Sequence, residues 1–213
     1  MTTALDQVLM RSAELDVVLS PFLELPIAID SDKLRAVRGM CGVAFEHAES
    51  VKILIATGNF TSALGLVRLQ YEALLRGFWL LYAAPESAVS KLMGEFTREA
   101  VGNSEKLPMQ AEMIKTLEGK APKAAMISLS NFKEHQWKPL SSYVHGGIHA
   151  LTRHSKGYPV VLLTQVVRVS NGLSTMAAML LQMISSDQTR MGQLPAIQSE
   201  FEDCLPDKDL RDF

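Results

Sequence analysis

Cysteine is scarce, with only Cys41 and Cys204 in 213 residues. Two thiols without metal-type spacing give neither a disulfide framework nor a cysteine cluster for a metal, and they predict free thiols in a reducing compartment. An excess of one charge is also missing. There are 21 Lys and Arg against 23 Asp and Glu, a formal net charge of −2. A protein that binds nucleic acid chiefly by bulk electrostatics is usually more basic, so any such role must rest on a local patch. No strand-like alternation of apolar and polar residues occurs, and no internal repeat. The opening MTTALDQVLMRSAELD carries early acids and no long apolar run, so no secretory leader is expected and the expected location is cytoplasmic. Stretches 60–82 and 159–185 are long enough to cross a bilayer. Arg68, Glu72 and Arg76 interrupt the first, and Arg168 and Asn171 the second. Neither is therefore expected to span a membrane, and no membrane is expected as a partner.

What is present is an ordinary globular composition, 47% hydrophobic and 21% charged, in a chain long enough for one domain with a real core. Helical spacing runs through 3–19, and Pro21 and Pro26 then mark a linker. Asp30-Ser31-Asp32 signals the start of a helix reaching about Thr57, closed by Gly58-Asn59. Residues 60–82 follow as its antiparallel partner, with Asn59 or Thr61 as cap. Further helices are expected over about 85–101, 108–118 and 122–135, with a mobile, lysine-bearing side at 102–123, and 140–155 is a separate stretch in which His145 and His149 share a face only if it is helical. Trp137-Lys138-Pro139 reads as a break. Pro159 to about Ser186 forms a second long helix, which Asn171-Gly172 can kink. A last helix is expected over about 187–203. The expected division is an N-terminal helix and linker over 1–26, one helical-bundle domain over 27–203, and a frayed charged tail over 204–213. The fold class is all-α, a bundle of four to five main helices with additional short ones.

The central stretch, FTSALGLVRLQYEALLRGFWLLY, is apolar around nearly its whole circumference and is expected to be buried. Yet Arg68, Glu72 and Arg76 lie four apart and form one row, which Trp79 continues within a turn. Charge inside an apolar helix is costly unless it is paired or faces a cleft. The row is either an internal salt-bridge ladder that fixes register or the wall of a cleft for an anion.

The second unusual stretch runs from Trp137 to His154. It gathers Trp137, Tyr143, His145, His149 and His154, with Gly146-Gly147 directly after His145. Three readings stand side by side. His145 and His149, four apart, suit a metal if bundle carboxylates such as Glu72 or the Glu46-His47 pair add ligands. Alternatively, His145 is a general acid or base beside the arginine row, which suits RNA cleavage without a metal. In the third reading the histidines are structural.

The run SALGLVRLQYEALLRGFWLLYAAPE (62–86), followed by WKPLSSYVHGG (137–147), resembles bacterial helical families of unknown function grouped with the HEPN superfamily. The resemblance covers about 40 to 180. It implies a four- to five-helix bundle that dimerises and, in many members, a metal-independent ribonuclease of toxin–antitoxin, phage-defence or CRISPR systems. The motif of such enzymes is an arginine, four to six residues, then a histidine. Here Lys138 stands where the arginine would be, six residues before His145, and Pro139 follows it. Lysine is a point charge without a planar fork for phosphate. The expected site on this reading has His145, Lys138 and Glu72 as catalytic residues. Arg68, Arg76, Tyr143, Trp79 and His149 are its ligand contacts. No cofactor is expected. The expected partners are a second copy of the chain, RNA or a nucleotide, and an antitoxin-type protein. The alternative function is a non-enzymatic helical module that binds a protein or a small ligand. A third is a metal-dependent enzyme using His145 and His149.

Overall fold

Helix ends are where the local chemistry is most explicit. The Thr3 side chain accepts from the Asp6 N–H while Asp6 accepts from the Thr3 N–H, a capping box that starts α1 (Ala4–Leu19). A 3₁₀ turn over Ser20–Glu24 follows, with Pro21 where a missing N–H costs nothing. The Ser31 hydroxyl accepts from the Leu34 N–H and starts α2 (Asp32–Ala56). A short turn through Gly58 leads into α3 (Phe60–Tyr82). Then come α4 (Glu86–Met93), α5 (Gln110–Leu117), α6 (Lys123–His135), α7 (Trp137–Val144), α8 (Ile148–Lys156), α9 (Val160–Met183) and α10 (Gln193–Glu200). The structure is a computed structural model and describes residues 3–94, 107–187, 189–190 and 192–207. Among these residues every regular element is a helix, apart from one isolated antiparallel bridge between Ile27 and Ser185. The protein is all-α. No helix is long and apolar enough to cross a membrane, among the described residues.

Helix α3 is the axis. Leu64, Val67, Tyr71, Leu74, Leu75, Phe78 and Leu80 are buried, and α1, α2, α5, α7 and α9 pack round it or onto its neighbours. Leu15 and Leu19 of α1 are wholly buried in that same core, so the N-terminal helix is built into the bundle. Several polar groups inside the bundle pair with one another, which offsets the cost of their burial. Gln70 donates to the Ser170 carbonyl at 2.9 Å and accepts from the Ser170 hydroxyl at 2.8 Å. Asn171 donates to Ser12 Oγ at 2.7 Å and to the Cys204 carbonyl at 2.8 Å. Lys52, nearly buried, pairs with Asp16 between α2 and α1.

Four expectations change. Trp137-Lys138-Pro139 starts α7 instead of breaking a helix, because Pro139 falls in the first turn, where backbone N–H groups have no intrahelical partner anyway. Asn171-Gly172 lies inside an unbroken α9 and is a seat for the C-terminal segment: a Cβ on Gly172 would stand 2.8 Å from Pro206 Cγ. No side chain caps α3, although Asn59 occupies the N-cap position. The last helix is shorter than expected, and the tail does not fray from 204, since Cys204 and Leu205 are buried and Arg168 bonds the Asp203 carbonyl at 3.1 Å. The end of the expected 85–101 helix, part of the 102–123 side and the last residues of the tail lie outside the described residues.

The buried thiols make stability sensitive to alkali. Burial pushes Cys41 up to about 12. Burial, then Asp203, pushes Cys204 up to about 11. Both values lie above that of an unfolded thiol, so this contribution is complete below about pH 8.5 and is lost as pH rises toward 12. We expect the urea midpoint to fall by an amount worth a few kcal/mol between pH 8 and 11, and Cys41→Ala to flatten that fall. An equal fall in the variant would place the cause elsewhere.

Candidate functional site

Helices turn about 100° per residue, so residues four apart drift only slowly round the axis. That places Arg68, Glu72 and Arg76 on one side of α3. It likewise places Trp137, Ser141 and His145 on one side of α7, where His145 is the C-cap residue and its N–H donates to the Ser141 carbonyl at 3.1 Å. The two stripes meet at Arg68. Arg68 is held at their meeting by three contacts. Its Nε donates to Glu72 Oε1 at 3.0 Å. Its guanidinium carbon lies 4.2 Å from the centre of the Trp137 ring. Its Nη1 stands 3.1 Å from His145 Nε2. A guanidinium has donors only, so this contact requires the lone pair of a neutral imidazole on Nε2 and puts the ring hydrogen on Nδ1. The Arg68 and Glu72 side chains are 14% and 21% exposed, while His145 is open to solvent.

The rest of the expected site divides. Arg76 makes no ion pair with Glu72, and its Nε is buried with no hydrogen-bond partner among the described residues. Trp79 is buried in the core. It sits three residues beyond Arg76, which turns it about 60° away from the row, so it offers no open surface. Tyr143 is also buried, its ring 6.4 Å from Tyr158 and 6.5 Å from the exposed His149. Burial and then Tyr158 raise the Tyr143 phenol, against the pull of Arg153. Tyr158 in turn shares a 2.6 Å hydrogen bond with Thr61. Lys138 lies elsewhere, in a shallow groove of about 410 Å³ lined by Ile114, Ser130, Lys133, Glu134 and Lys138. It adjoins Trp137 in sequence but is turned about 100° round α7.

His145 and His149 do not share a helix. Gly146 adopts φ +63, and a Cβ on Gly147 would stand 2.5 Å from Ser142 Oγ, so this turn needs both glycines. The Ser142 hydroxyl then accepts from the His149 N–H at 3.0 Å and opens α8. No three His, Cys, Asp or Glu side chains among the described residues are placed to hold a metal. The partner that sequence reasoning missed is Trp137. Its spacing to His145, two successive steps of four, was the available signal, and reading Pro139 as a helix break hid it.

Removing Glu72 tests how the cluster is held. We expect Glu72→Ala to cost about 1–2 kcal/mol, since a half-buried cation loses its carboxylate but keeps the ring and the imidazole. For a chain of this size that is a fall of roughly 3–6 °C in Tm, read by thermal denaturation.

Residues 41–207 match the model of a family described as a family of unknown function, DUF6988. The chain belongs to DUF6988. The match spans α3 and α7 in full, and with them Arg68, Glu72, Trp137 and His145, while α1 lies outside it. No curated protein and no solved structure matches the chain. Membership of DUF6988 assigns no activity and shows no link to HEPN bundles.

Proposed function

We propose that this DUF6988 protein acts on the phosphodiester backbone of RNA without a metal, with His145 and Arg68 as its working pair. The observation that carries this reading is the 3.1 Å contact between Arg68 Nη1 and His145 Nε2, groups 77 residues apart in sequence. In this reaction the ribose 2′-hydroxyl attacks the adjacent phosphorus and gives up its proton to a base. The 5′-oxygen leaves with a proton taken from water, and a 2′,3′-cyclic phosphate remains. A neutral imidazole suits the proton transfer, and a guanidinium suits the charge that builds on the phosphoryl oxygens. A phosphate entering at Arg68 takes the guanidinium donors and frees Nε2 to accept the proton. Glu72 and Trp137 orient Arg68, and Arg76, whose Nε has no hydrogen-bond partner among the described residues, is a second cation on the same side of α3. Lys138, in its separate groove, is at most a remote phosphate contact. The resemblance to HEPN bundles points the same way and adds a homodimer, which sedimentation measures, and an antitoxin-type protein partner.

A second reading, the non-enzymatic helical module, draws on the same three contacts. An arginine held by a carboxylate, a ring and an imidazole also serves as a staple between α3 and α7. The deciding experiment incubates the purified protein with single-stranded RNA in excess chelator. Strand breaks ending in a 2′,3′-cyclic phosphate are expected. Intact RNA across the pH range, with and without added metal, would establish the staple.

A further inference from the structure

We propose that the end of the molecule formed by residues 144–161 is a docking face for an amphipathic helix of another protein, one carrying leucine-like and acidic side chains. The chain leaves the bundle at Tyr143 and returns at Tyr158, and the two rings stand 6.4 Å apart. Between them α8 buries only Ala150. Ile148 is 75% exposed and Leu151 70%, and Val161, in the first turn of α9, is 69% exposed. Val144 and Val160 flank them and are exposed as well. Scattered single aliphatics on a surface need no explanation, but five within residues 144–161 do.

The charge around these side chains selects the occupant. From His135 to Ser186 the sequence contains no aspartate or glutamate, so all 23 acidic residues lie outside this stretch although the net charge is −2. The basic or titratable side chains beside Ile148 and Leu151 on α8 are His149, Arg153, His154 and Lys156, and no acidic residue stands among them. A second copy would set this basic rim against its own like, which opposes self-association. RNA would answer the cations but leave the aliphatic side chains in water. A helix with an apolar stripe flanked by carboxylates answers both. The proposal is independent of the hydrolytic reading, because the side chains that test it, Ile148, Leu151 and Lys156, are not among the residues of that reading.

The test uses two synthetic helical peptides of about five turns. Both carry leucine at i, i+3, i+4 and i+7; one has glutamate and the other lysine at the flanking positions. Fluorescence anisotropy with the full chain is expected to show the acidic peptide binding at least about 10-fold tighter, a difference of about 1.4 kcal/mol. Leu151→Asp with Lys156→Glu should abolish that preference with Tm unchanged, and Ile148→Ser alone should weaken the acidic peptide. Equal binding of the two peptides, or none, overturns the proposal. So does a wild-type dimer that Leu151→Asp converts to monomer, which assigns the face to a second copy. So does displacement of the peptide by RNA that depends on Lys156 and not on Leu151.

Discussion

Replacing Tyr71 with alanine is expected to lower the unfolding free energy by about 3–5 kcal/mol, the largest loss from any single side chain of α3. Tyr71 is wholly buried. Its ring stacks on Phe132 with centroids 4.2 Å apart and planes 9° from parallel, and it meets the edge of Trp137 at 5.9 Å. Its hydroxyl donates to the Leu129 carbonyl at 2.8 Å. One side chain thus ties α3 to both α6 and α7. Tyr71→Phe separates the contributions. It keeps the ring and removes one hydrogen bond to the Leu129 carbonyl, which the Lys133 N–H within α6 continues to satisfy, for about 1 kcal/mol. Burial also raises the phenol above its ordinary value, with Glu72 adding to the rise. A raised phenol stabilises the fold fully below about pH 10 and loses that contribution above it, so Tyr71→Phe should resist alkali better than the wild type. Because Trp137 touches both Tyr71 and Arg68, Tyr71→Ala should also disorder the Arg68–His145 contact, whereas Tyr71→Phe should leave it intact. Urea denaturation followed by circular dichroism reads the stability. A loss below about 1 kcal/mol for the alanine variant would mean that the α6–α7 layer is not docked through this residue.

The sequence carried the long elements clearly and the short ones less so. Helices α1, α2, α3 and α9 have several turns each, so apolar periodicity repeats often enough to fix them, and Ser31 and Gly58 mark ends by local chemistry. The short helices α7 and α8 span about two turns, too few for periodicity to outweigh one proline or a glycine pair. Pro139 looked like a stop because its position within a helix decides its meaning, and that position was unknown. The row Arg68, Glu72, Arg76 was legible as a row, since spacing of four is a property of one helix. Its partners were not, because Trp137 and His145 lie on another helix and only packing brings them near. Trp79 was drawn into the row by proximity in sequence, while its angle puts it in the core. The acid-free run from His135 to Ser186 was open to view throughout. It meant little until Ile148, Leu151 and Val161 proved exposed, since apolar residues in a helical pattern are read as core by default.

If Arg68 and His145 act as one device, His145→Ala should reduce RNA cleavage by about 10²–10⁴-fold at unchanged Tm, the usual worth of a positioned acid or base. Folding should survive because His145 is exposed and its backbone, not its ring, closes α7. Arg68→Ala should reduce cleavage comparably and also lower stability, since it empties a half-buried place between Glu72 and Trp137. Arg68→Lys is the sharper variant. It keeps the charge but has no planar fork to lie on the ring, bond the carboxylate and reach the imidazole together. It should therefore retain most of the stability and lose most of the activity. The double variant Arg68→Ala/His145→Ala should be little worse than the weaker single, because groups acting in one step are not additive. The staple reading predicts the opposite pattern on the same measurements. There the stability losses of the two singles are coupled, the His145 variant loses Tm, and no phosphodiester product appears in any of them. Measuring Tm and cyclic-phosphate formation on this one set of proteins therefore separates a working pair from a structural one, since only a working pair can lose its product while keeping its fold.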